Sequence, residues 1–167
     1  MMKWAWFHPF LIGGYSMFDS IFVDFDNVLC LHSHDIHCKD YILSPAEYIS
    51  EAAFKESAPN FPLIKWLKEK QHDYRTQIYV LTPASSFMVD ALRLWIDEKC
   101  KDISISGIIS YGSDVEKRDI IAAYFKIKTT ESRTFVIVDD PEERADISEL
   151  SPKLVVRSPQ WIMNTFM

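Results

Sequence analysis

Glycine is scarce in this 167-residue chain, with four residues, and the eight prolines are scattered. That composition excludes a collagen-like or low-complexity chain. Cysteine is scarcer still: three residues, an odd number with no C-x-x-C spacing. Reduced thiols in a cytoplasmic protein fit this better than a disulfide framework. No apolar run approaches the roughly 18 residues of a membrane span. A basic excess is missing too. The formal net charge is −6, so no footprint for duplex nucleic acid is expected.

Aromatic residues, by contrast, are plentiful: five tryptophans, seven tyrosines and eleven phenylalanines. With 48% apolar residues they can fill a sizeable core, and the length suits one domain. The segment MMKWAWFHPFLIGGYS (1–16) faintly resembles a signal peptide. Its apolar part is short, contains His8 and Pro9, and lacks a small-x-small cleavage site. We read 1–16 as an extension loosely packed ahead of the domain, with Met17 a natural start.

From residue 17 to 160 strand-like and helix-like segments alternate. FDSIFVDF (18–25), QIYVLT (77–82), ISISGIIS (103–110), RTFVIVDD (133–140) and KLVVR (153–157) read as buried strands. Between them SPAE opens a short helix reaching about Ser57, and Asn60-Phe61-Pro62 opens another. SSFMVDALRLWIDEKC (85–100) and EKRDIIAAYFKI (116–127) carry apolar residues at helical spacing. PEERADISEL is a short helix or turn, and 161–167 reads as a tail. The alternation predicts an α/β three-layer sandwich: a mainly parallel, five-stranded, Rossmann-like sheet with helices on both faces. In such sheets ligands bind beyond the carboxyl ends of the strands.

Those ends share one chemistry. The first strand ends in Asp24-Phe25-Asp26, the second in Thr82 and the fourth in Asp139-Asp140, while Lys117 opens the helix after the third. Carboxylates bind a hard cation such as Mg²⁺, and one of them can attack phosphorus. An ammonium and a hydroxyl can hold phosphoryl oxygens. Taken singly, each residue has a plain structural role: Asp24 and Asp26 in a turn, Thr82 ending a strand, Asp139-Asp140 before Pro141 capping a helix, Lys117 a solvated charge. Jointly they are harder to explain without a cation, since the two acid pairs would repel.

VDFDNVL, YVLT, Lys117 and VIVDD, in this order, resemble the four motifs of the haloacid dehalogenase-like hydrolase superfamily. The resemblance covers about residues 18–157. It implies a Mg²⁺-dependent phosphatase with Asp24 as nucleophile and metal ligand, and Asp26 as general acid/base with its carbonyl on the metal. Thr82 and Lys117 would hold the phosphoryl group, Asp139 would bind the metal directly, and Asp140 would bind it through water or support it. Asn27 stands where glycine, threonine or aspartate is commoner. Response-regulator receivers also use paired acids, Thr and Lys, but they end their third strand in the phosphoacceptor Asp. Here that strand ends Ser110-Tyr111-Gly112.

The interval from Asp26 to Thr82 leaves room for a small flap at 30–60, not a folded lid, so the expected site is open. It suits a phosphorylated substrate, large, or small if an oligomer partner covers the site. The flap begins CLHSHDIHC (30–38). Its His32 and His34, with Asn27, are candidate substrate contacts. Zinc binding by Cys30, His32, His34, His37 and Cys38 is the competing reading, weakened by the irregular spacing. A second functional class stays open: a non-catalytic module of this fold that binds a phosphorylated partner. The aromatic-rich termini suit either an oligomer surface or packing on the core.

Overall fold

The computed structural model describes residues 18–31, 57–84, 88–112, 114–127 and 133–166. Their elements in chain order are β1 (Ser20–Asp24), β2 (Cys30–Leu31), β3 (Ala58–Pro59), α1 (Phe61–Tyr74), β4 (Gln77–Thr82) and α2 (Val89–Lys99). Then follow β5 (Gly107–Ser110), α3 (Lys117–Ile127), β6 (Thr134–Ile137), α4 (Pro141–Ser148), β7 (Leu154–Arg157) and α5 (Pro159–Phe166). Five strands form one sheet in the order β5-β4-β1-β6-β7, every pairing parallel. The three-layer α/β sandwich expected from the alternation is therefore what the chain adopts.

Side-chain alternation sorts the core into two layers. Ile21, Val23, Ile78, Val80, Phe135 and Ile137 face α1, α2 and α5, where they meet Leu63, Trp66, Leu67, Leu92, Trp95 and Ile162. Phe22, Leu81 and Val136 face the other way, onto Ile121 of α3 and Ile147 of α4. Phe22 stacks on Tyr79 and meets Tyr124 edge-on, at centroid distances of 5.3 Å and 4.8 Å. Every residue of β1 is buried, which a strand with helices on both faces requires.

Asn60 caps α1 and also ties the chain to the loop after β1. Its Oδ1 accepts from Leu63 N at 3.3 Å, and its Nδ2 donates to the Val28 carbonyl at 2.9 Å. The ends of the expected flap do pair: β2 and β3 form a two-stranded antiparallel ladder, Cys30 opposite Pro59 and Leu31 opposite Ala58. The helix expected over 44–57 falls largely outside the described residues, and so do residues 1–16.

Three expectations differ from the structure. The strand expected over 103–110 is confined to 107–110, because the Gln71 side chain takes the place of a neighbouring strand at Ser104. Its Nε2 donates to Ser104 O at 2.7 Å and its Oε1 accepts from Ser104 N at 2.8 Å. Likewise the strand expected over 133–140 ends at Ile137, where the chain turns into the cap of α4. The segment read as a tail instead lies in α5. Its Ile162 is wholly buried, and its Trp161 approaches Phe135 at 6.2 Å. Packing on the core, rather than an oligomer surface, accounts for these apolar residues.

Candidate active site

β1 lies between β4 and β6: the chain runs from β1 outward through β4 to β5, then crosses back to β6 on the other side of β1. The carboxyl end of β1 is thus the crevice where parallel sheets bind ligands. Asp24 sits there, its Cα opposite Leu81, one residue before Thr82. The next residues fold back sharply: Cys30 N donates to Phe25 O at 2.8 Å and Asn27 N to Cys30 O at 2.8 Å. Asn27 holds the left-handed conformation at φ 57°, which asparagine tolerates better than most residues. Its presence in place of glycine therefore has a backbone reason.

Lys117 is the first residue of α3, the positive end of a helix dipole, where a cation is least welcome. Two carboxylates hold it there. Its Nζ lies 2.6 Å from Asp24 Oδ2 and 2.6 Å from Glu143 Oε2. The side chains of Asp24 and Lys117 are only 11% and 10% exposed, whereas Glu143 is 42% exposed. Burial opposes the ammonium of Lys117, but the two carboxylates outweigh it and its pKa rises above the ordinary lysine value. Asp24 is pushed up to about 7. Burial is the main cause, offset in part by Lys117 and reinforced by the charges of Asp26 and Glu143.

Asp140 caps α4. Its Oδ1 accepts from Glu142 N at 2.8 Å and Glu143 N at 3.0 Å, and Pro141 follows at the first helical position. Those hydrogen bonds lower its pKa. The cap has a positional effect as well, since it fixes the turn that aims Glu143 at Lys117. Asp139 is exposed, with Gln160 Nε2 3.4 Å from its Oδ1. Arg144 braces the turn by donating from Nη1 to the carbonyls of Val138 and Asp139. Thr82 is fully buried, and its hydroxyl accepts from Ala84 N at 3.1 Å.

The structure therefore joins Asp24, Lys117 and Glu143 directly. Asp26 lies close enough for its charge to act on Asp24. Thr82, Asp139 and Asp140 stand on the same sheet edge, each engaged in a local contact. His32 and His34 lie outside the described residues, as do His37 and Cys38. Cys30 is fully buried, and its thiol is pushed up to about 12, chiefly by burial, as for a packed hydrophobe. Among the described residues no three His, Cys, Asp or Glu side chains are gathered to enclose a cation.

Sequence reasoning missed two residues. Glu143 falls within an acidic helix start, where a glutamate ordinarily complements the dipole. The available signal was its register, four residues after Asp139. Tyr111 follows β5 and bonds through its N to Thr82 O at 3.1 Å. Its phenol is raised, first by burial and then by the charges of Asp24, Glu143 and Asp26, so it faces the same crevice.

No family model and no curated protein matches the chain. Its backbone is similar to that of a hydrolase from Streptococcus pneumoniae described as a haloacid dehalogenase-like family protein. The TM-score is 0.51 at 14% identity, with 90% of this chain and 99% of that chain covered. At such an identity the likeness is one of fold. With its parallel sheet in the order β5-β4-β1-β6-β7 and an aspartate ending the central strand, the chain has the fold of haloacid dehalogenase-like hydrolases.

Proposed function

We propose that this protein is a Mg²⁺-dependent phosphohydrolase that cleaves a phosphate monoester through an aspartyl phosphate on Asp24. One observation carries the reading: the Lys117 ammonium, 2.6 Å from both Asp24 and Glu143, at the crevice beside β1. Burying a charged pair costs desolvation that mutual attraction seldom exceeds by much. Such a cost is ordinary where a nucleophile and its electrostatic partner must be held ready.

In this reading Asp24 attacks phosphorus and Asp26 protonates the leaving oxygen, then takes the proton of the attacking water. Lys117 holds the phosphoryl oxygens, with Thr82 as a second donor. Glu143 orients Lys117. The donors available for a cation are all oxygens, which fits Mg²⁺. The Asp24 and Asp139 carboxylates and the Asp26 carbonyl would hold it, with Asp140 in support. The cation would supply positive charge between the anionic nucleophile and the anionic phosphate. The narrow β2–β3 ladder at the root of 30–60 is in keeping with an open site and a substrate of any size, including a macromolecular phosphoester.

The test is hydrolysis of an aryl phosphate, followed by a panel of phosphopeptides, nucleotides and 3′-phosphorylated oligonucleotides. Turnover is expected to require Mg²⁺ and to fall by about a thousandfold or more in Asp24→Asn. Activity surviving in a folded Asp24→Asn protein overturns the assignment. Failure to cleave any ester while Mg²⁺ is bound favours the non-catalytic module.

A further inference from the structure

On the flank farthest from β7 the sheet ends in β5, which pairs with β4 alone among the described strands. All four of its residues are half-buried. An open edge of this kind is a template for another strand unless something covers it. Alongside lies a cleft of about 430 Å³, between the outer side of α2 and the chain entering β5. Arg93, Asp97 and Lys101 line one wall, and Ile103, Ile105 and Ile108 the other.

We infer that this flank is the interface of a two-fold homodimer. In it β5 pairs antiparallel with β5 of a second copy, and α2 lies against its counterpart. The charges identify the occupant. Asp90, Arg93, Asp97 and Lys101 are spaced three, four and four residues apart, so they form one stripe along α2 and the turn after it. All four are exposed, and none makes an ion pair with another described residue. Their signs run minus, plus, minus, plus. Reversed, the stripe is its own complement. An antiparallel copy sets Asp90 opposite Lys101 and Arg93 opposite Asp97, twice over, whereas a parallel copy sets like against like. Leu94, 71% exposed, lies beside the stripe near its middle.

Geometry agrees with the charges. A two-fold axis normal to the sheet, between paired edge strands about 4.8 Å apart, leaves both copies of α2 on one face. Each copy of α2 contacts its own β5, so the two helices would lie side by side across the axis. A foreign strand added to β5 would use its backbone groups but leave the charge stripe unmatched.

The experiment is sedimentation velocity with light scattering on the full chain over a dilution series. A dimer that weakens as salt is raised is expected. Arg93→Glu should raise its dissociation constant about tenfold or more, and Arg93→Glu with Asp97→Arg should restore it. Circular dichroism checks that each variant is folded, and amide exchange at β5 should slow as the dimer forms. A monomer at every concentration overturns the inference. So does a dimer indifferent to Arg93→Glu, or one that the double exchange fails to restore.

Discussion

Glu143 shows how one side chain changes the reading of a site. Without it, Lys117 would be a lysine paired with Asp24 alone. With it, the ammonium is shared between a buried carboxylate and a half-exposed one, and its position no longer depends on Asp24 alone. Glu143→Gln keeps a hydrogen-bond acceptor and removes the charge. We expect kcat for an aryl phosphate to fall about tenfold, a typical loss for a removed charge-assisted hydrogen bond, with KM little changed. The pH profile separates positioning from mere structure. Glu143 helps raise the pKa of Lys117, so its loss lowers that pKa and moves the alkaline limb of the profile to lower pH. An alkaline limb identical to that of the unaltered protein contradicts the role.

Among the elements, α5 carries a consequence for stability. It is the last helix, yet Ile162 is wholly buried in the layer formed by α1 and α2. Truncating a buried isoleucine loses transfer energy and leaves a cavity, so Ile162→Ala should cost about 2–4 kcal/mol in denaturant unfolding. Leu94→Ala, on an exposed face of α2, should cost far less in the monomer. Equal losses would mean that α5 is not part of the cooperative core. α4, equally short, also buries one isoleucine, Ile147, and depends on Asp140 and Pro141 for its start. Its task is to present Glu143 and to close the turn after β6.

Across the whole molecule Asp24 couples stability to pH, and under the proposed function to a bound cation as well. Its folded pKa, about 7, stands above the model-compound value of 3.8. Its contribution to stability is therefore fully present below about 3.8 and is lost as pH rises through about 7, where a buried negative charge must be maintained. A bound divalent cation offsets that charge. Added Mg²⁺ should thus raise the unfolding temperature more at pH 8 than at pH 5.5, where it must first displace a proton. Thermal scans with Mg²⁺ and with chelator at the two pH values test this. An equal increment at both would uncouple Asp24 from the cation.

Much of this architecture is legible in the one-dimensional pattern. Runs such as SIFVD and QIYVLT are apolar on both alternating faces, so they have to be strands between two helical layers. The residues that follow them therefore have to meet at one edge. That logic places Asp24, Thr82, Lys117 and Asp139-Asp140 at one sheet edge from the sequence alone. It could not find Glu143 or Tyr111, because a glutamate in a first turn and a tyrosine after a strand have ordinary local explanations. Nor could it see that Gln71 shortens β5 or that α5 completes the core, since both depend on contacts between segments distant in the chain. Local periodicity specifies which face of an element is buried. Which partner meets that face, and which charge ends 2.6 Å from Lys117, is set only when the whole sheet and its helices pack together.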